Sequence, residues 1–127
     1  IAPDLTPWIT RDCVIVSLLA GVEAESLRTR FPRAAAVVRA LPNIAVQVRR
    51  GVVPLFSEDQ GDELRDRMLR LFAPLGYVVW CASEAEFGAV GAVSGAGPAY
   101  IARYIAALAA AGEARGLQPD VALTVAR

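Results

Sequence analysis

The sequence predicts an α/β layer built on a short parallel sheet, followed by an all-helical segment. Three observations carry that reading. Short apolar runs alternate with helix-like stretches from Cys13 to Cys81, the order expected of strands joined by crossover helices. The alternation stops near residue 83, where small residues and helix formers take over. The helix that follows is apolar all round, the pattern of a helix buried on several sides.

The elements follow in order. Cys13 to Leu19 is an almost continuous apolar run ending at Ala20-Gly21, which reads as a parallel strand buried on both faces with a turn after it. Glu23 to Phe31 is a short helix stopped by Pro32, and Ala35 to Arg39 is a second strand closed by the Pro42-Asn43 turn. Gly51 to Phe56 is the third strand. Ser57 and Gln60 then have the S-x-x-Q spacing of a capping box, whose side chains satisfy orphan amides at a helix start. In the next helix Leu64, Met68, Leu71, Phe72 and Leu75 share one face, with Arg65, Asp66, Arg67 and Arg70 outward. Pro74 and Gly76 end it, and Tyr77 to Cys81 is the fourth strand.

Ser83 and Glu86 form a second capping box. Beyond it Ile101, Ile105 and Leu108 mark a face of an Ala-rich helix that runs to Gly116, and Pro119 suits the first turn of one more helix.

Composition narrows the function classes. Hydrophobic residues make up 55% of only 127, so part of the apolar surface is expected to be buried by a partner. Thirteen basic residues cancel 13 acidic ones without forming a block, which argues against nucleic-acid binding, where a basic stripe must neutralise phosphates. There is no His, so neither a serine-hydrolase triad nor a His-ligated zinc site can be built from this chain. Cys13 and Cys81 match no metal or redox spacing and read as small core hydrophobes of a protein in the reducing cytoplasm. The longest uncharged stretch, Phe87 to Ala102, is too short to span a membrane. The chain starts at Ile1 without Met and ends at Arg127 inside a helix, so a fragment of a longer protein is expected.

Few residues stand out as chemistry. Glu84 and Glu86 read as carboxylates favoured at a helix N-terminus rather than as an acid/base pair. Of Arg39, Arg49 and Arg50, the candidates to meet a phosphate, at least two read as solvated surface. GAVSGAGPAY (91–100) is the densest cluster of glycines. It fails as a dinucleotide fingerprint, because Tyr100 stands at the third glycine and the preceding segment is helix-like. Two readings remain: Gly97-Pro98 opens a helix and offers free amides to an anion, or Gly88, Gly91, Gly95 and Gly97 allow close backbone packing while Pro98 bends a long helix. Packing is favoured.

VIVSLLAGV (14–22), VVRALPN (37–43), RRGVVPLF (49–56) and above all VGAVSGAGPAYIARYIAALAAAGEARGL (90–117) together resemble the pyrroline-5-carboxylate reductases. The resemblance runs across essentially the whole chain. It implies an enzyme that reduces the cyclic imine 1-pyrroline-5-carboxylate to L-proline with NADPH or NADH. It further implies that residues 1–83 are the C-terminal half of a Rossmann-like NAD(P)-binding domain and 84–127 the start of an all-helical domain, with a homodimer or higher homo-oligomer through residues 98–127. Ala20, Gly21, Pro42 and Asn43 would lie around the nicotinamide end of the cofactor, and Ser94, Gly95, Gly97 and Pro98 where the helical domain meets the active cleft. No general acid is assigned. The family's first strand and Gly-rich pyrophosphate turn would precede Ile1, and its later carboxylate-binding loop would follow Arg127, so this chain alone is not expected to turn over. It departs from the family at Ile44 and Gly91, where Thr is usual, and at Ala96, where Ser is common. A non-catalytic assembly module is the rival reading. Another imine or β-hydroxyacid reductase on the same architecture is a third.

Overall fold

The computed structural model describes residues 2–59 and 61–127. A short helix, α1 (Ala2–Leu5), leads through a 3-10 turn to β1 (Val14–Ser17). The chain continues as α2 (Ala24–Arg30), β2 (Ala36–Ala40), β3 (Gly51–Phe56), α3 (Asp62–Phe72), β4 (Gly76–Trp80), α4 (Glu84–Ala114) and α5 (Pro119–Ala126). It divides into two compact units, residues 1–92 and 93–127.

In the first unit the four strands form one sheet in the order β1-β2-β3-β4. β1 pairs parallel with β2 across α2, and β3 parallel with β4 across α3, whereas β2 and β3 run antiparallel. The expected parallel sheet is therefore mixed, for a local reason. A parallel crossover needs a dozen or more residues, usually with a helix, but residues 41–50 contain only a 3-10 helix, Ile44–Val48. Asn43 closes the link: its N–H donates to the Val52 carbonyl (3.2 Å) and its Oδ1 accepts from Val52 N–H (3.0 Å).

Both faces of the sheet are covered. On one, Met68 of α3 packs with Val38, Ala40, Val53 and Leu55. On the other, Leu27 and Phe31 of the α2 region cover Val37, while Phe87 of α4 joins Ala24, Phe56 and Cys81. β2 is buried along its whole length; β1, expected to be buried on both faces, is half-buried at the edge of the sheet. Leu71, expected on the core face of α3, is exposed, and Leu69 packs inward instead.

Gly76 explains how β3 and β4 can begin so close together. Its φ is +138°, and a Cβ there would lie 2.2 Å from the Gly51 carbonyl oxygen and 2.5 Å from the Gly51 nitrogen.

The capping boxes fare differently. Ser83 Oγ accepts from Glu86 N–H (3.1 Å), and Glu86 reaches back to Ala82 N–H (2.6 Å), one residue earlier than the usual pairing. Ser57 does not cap α3, whose N-cap is Gly61. Its hydroxyl donates to the Val37 carbonyl and accepts from Asp59 N–H. Gln60 lies outside the described residues.

α4 is one continuous helix with Pro98 inside it. That excludes a helix start at Gly97-Pro98: the helix begins at Glu84 and runs through a residue that cannot donate the helical hydrogen bond into the Ala-rich stretch beyond it. In the second unit Leu117 and Ala122 fold back within 3.2 and 3.3 Å of a Cβ position on Gly112, so that glycine sits at a close approach. Ala109 and Ala122 are buried, while Tyr100, Ile101, Tyr104, Val121 and Val125 are exposed. Among the described residues no helix is long and apolar enough to cross a membrane.

Candidate functional site

The turn after β1 borders a cleft of ≈ 450 Å³ in the first unit, lined by Ala20, Gly21, Arg39, Leu41, Glu84 and Phe87 among others. It lies at the carboxyl end of β1, where open α/β sheets receive their ligands. A larger groove of ≈ 880 Å³ runs beside β1. Its walls are mostly apolar, among them Ile15, Leu18, Leu19 and Phe31, with Ser17, Glu23, Ser26 and Arg30 as its polar residues.

Arg39 organises the smaller cleft. It sits in a fully buried strand and is only 4% exposed, so its charge must be matched where it lies. Its Nη1 donates to a carboxylate oxygen of Glu84. Its Nη2 donates to the carbonyls of Ala20 (2.8 Å) and Leu19 (3.4 Å). The guanidinium carbon stands 4.4 Å from the centre of the Phe87 ring, a cation–π contact. Nε is buried without a hydrogen-bond partner.

Glu84 opens α4, yet its side chain serves another helix. Oε1 accepts from the N–H of Ala24 (2.8 Å), the first residue of α2. Glu23, the N-cap of α2, makes no side-chain cap of its own, so Glu84 supplies the missing acceptor from across the fold. Its side chain is 33% exposed. Water screens part of the attraction, and the forked hydrogen bonding contributes more than charge alone.

The sequence-derived residues distribute unevenly. Ala20 and Gly21 line the cleft, and nothing lies within 4 Å of a Cβ position on Gly21. Pro42 and Asn43 follow Leu41, a wall of the cleft, with Asn43 held against Val52. Ser94, Gly95, Gly97 and Pro98 lie mid-way along α4 in the second unit, Gly95 exposed and the others half-buried. Close packing of glycines holds within this chain at Gly91, whose Cβ position is 2.6 Å from Leu41 Cδ2; Gly88, Gly95 and Gly97 have open space.

Arg49 and Arg50 are exposed, as read from the sequence, but Arg39 is not. The signal was present: a lone charge inside the apolar run AAAVVRAL must find a partner when that run is buried. Burial raises the pKa of the Cys81 thiol, whereas hydrogen bonds from Thr10 lower that of Cys13. Among the described residues no group of acidic or thiol side chains is placed to hold a metal ion.

The chain is similar to known proteins over most of its length. Residues 84–127 match the family model described as pyrroline-5-carboxylate reductase dimerisation. The chain is 34% identical over 119 residues to a pyrroline-5-carboxylate reductase of Pseudomonas aeruginosa, covering 93% of this chain and 44% of that protein. A solved pyrroline-5-carboxylate reductase from Coxiella burnetii superposes with a TM-score of 0.84 at 30% identity, over 98% of this chain and 47% of the other. The Plasmodium falciparum pyrroline carboxylate reductase, solved with NADP bound, superposes at 0.85 and 20% identity over 99% of this chain and 50% of its own, a likeness of fold. The chain thus spans about half or less of the length of the relatives it matches.

Proposed function

We propose that this chain is a member of the pyrroline-5-carboxylate reductase family over the stretch it spans and forms part of an NAD(P)H-dependent reductase that converts 1-pyrroline-5-carboxylate to L-proline, a reading supported by the likeness to reductases of that name. On this reading residues 1–83 are the second half of the nucleotide-binding domain and 84–127 begin the domain through which two copies associate. The observation that carries it is the cleft at the end of β1, bordered by an exposed turn of small residues and anchored by a buried arginine.

The residues present fit the nicotinamide end of a dinucleotide. Gly21 leaves open space above the turn, and Asn43 is held against β3 so that the link beside the cleft keeps its shape. A bound reduced nicotinamide supplies the hydride. The chain's own contribution is alignment, worth about 7–11 kcal/mol when two reactants are well oriented. A cyclic imine, once protonated, is already electrophilic, which suits a chain without His. β1 supports the domain reading: it is an edge strand with apolar grooves on both faces, one lined by Ile15 and Leu18, the other by Val14, Val16 and Leu71. Such an edge fits the longer sheet of a complete doubly wound nucleotide-binding domain.

A titration of ¹⁵N-labelled chain with NADPH tests the cofactor part. Amide shifts concentrated at Ala20, Gly21 and Asn43 are expected; uniform or absent shifts at millimolar nucleotide overturn it. The catalytic part is tested in a protein carrying this stretch at full length, which should oxidise NADPH when given the imine. Gly91 favours the rival, a non-catalytic assembly module, because Leu41 fills the space where the family's usual Thr would stand. Full-length protein that binds no nucleotide yet still associates would establish that rival.

A further inference from the structure

We propose that Arg39 and Glu84 form a positioning pair that sets the conformation of the turn between β1 and α2, and with it the wall of the cleft. The inference rests on the cofactor reading for its purpose but on geometry for its substance.

Ala20, Gly21 and Glu23 of this turn are exposed, and so are Leu18 and Leu19. An exposed turn of small residues is free to sample several shapes. Its anchors are one side chain at its own base and two from elsewhere in the fold. Ser17 Oγ accepts from Leu19 N–H (3.3 Å) at the near end. The Arg39 fork grips the Leu19 and Ala20 carbonyls in the middle, and Glu84 takes the Ala24 N–H at the far end. Arg39 and Glu84 also bind each other, so the two grips act as one. Phe87 lies over the guanidinium and restrains it from one face. Lysine could supply the charge but not these simultaneous contacts, because a single ammonium cannot hold a carboxylate and two carbonyls in a fixed planar fork.

Amide hydrogen exchange on the intact chain tests this with Arg39→Lys, Arg39→Met and Glu84→Gln. In Arg39→Lys and Arg39→Met, exchange at the Leu19 and Ala24 amides, whose hydrogen bonds to Ser17 and Glu84 close the two ends of the turn, should rise roughly tenfold, the equivalent of one or two lost hydrogen bonds. Sheet amides at Val37, Val38 and Val53 should stay at the wild-type rate. Full rescue by Lys, an unchanged turn, or a rise spread equally over the sheet overturns the proposal. Should Arg39→Met fail to fold, Arg39→Lys and Glu84→Gln decide it, the latter with a smaller rise confined to the same residues. Titrating wild type with NADPH in parallel separates the two readings. No nucleotide shifts with a localised exchange response would sink the cofactor reading and leave the pair standing.

Discussion

The two units of this chain solve the problem of apolar surface in opposite ways. In the sheet unit Val38, Val53 and Leu55 are wholly inaccessible to solvent, and the partly or fully buried arginines each meet a carboxylate: Arg28 with Asp59, Arg39 with Glu84. In the helical unit α4 and α5 leave Tyr100 and Val125 about three-quarters exposed, at 74% and 75%, with Ile101 and Tyr104 close behind. One unit buries a core of its own, though Leu18, Leu19, Ile44 and Val48 stay exposed at its strand ends and links. The other presents the kind of surface that a second chain covers. Substitutions should therefore act on stability in the first unit and on association in the second.

The largest effect is expected at Gly76. Alanine there would place a Cβ against the Gly51 backbone at a φ that L-residues rarely adopt. Strain and clash together should cost about 3 kcal/mol or more. Urea unfolding followed by the fluorescence of Trp80, in the same strand, should show a lower midpoint or no folded baseline. An unchanged midpoint would mean that β3 and β4 do not begin as closely as described.

That glycine also marks how far the sequence could be read. Apolar runs locate strands well because burial requires them, and Gly51–Phe56 falls where the run does. Strand direction is not written in such a run. The antiparallel β2–β3 pair shows only in the link between them, too short for a crossover and pinned by Asn43 on Val52. Helical spacing gave the face of α3 but placed Leu71 inward where Leu69 packs, since neighbouring positions at the margin of a face differ by tertiary contact alone. Ala20 and Gly21 were legible as a turn after a strand. That Arg39 needs a partner was legible from its place in an apolar run, but not that the partner is Glu84, because a contact 45 residues away leaves no mark in local pattern.

Next in size is the helical unit's surface. The paired substitution Ile101→Glu and Tyr104→Glu removes two exposed apolar side chains from α4. If each is buried by a second copy, association should weaken roughly 10²–10⁴-fold, at about 1.5–3 kcal/mol per side chain. Light scattering should report a dimer mass for wild type and a single-chain mass for the variant, with helical circular dichroism retained. Wild type at one chain mass at micromolar concentration would remove the contrast between the units.

The smallest effect compares two glycines within one decapeptide. Gly95→Ala adds a methyl that meets nothing within 4 Å, inside a helix where alanine is favoured over glycine by about 1 kcal/mol. Gly91→Ala makes the same gain in propensity but drives its Cβ to 2.6 Å from Leu41 Cδ2. That atom is the end of a flexible side chain and can turn aside, so the gain should be offset rather than reversed. Thermal unfolding should rise by roughly 3–5 °C for Gly95→Ala and stay near wild type for Gly91→Ala. Were Gly95→Ala destabilising instead, the space beside it would be occupied in solution. Loss of mass in light scattering would identify that occupant as a second chain, because a methyl against a partner's backbone weakens association while leaving the isolated helix stronger.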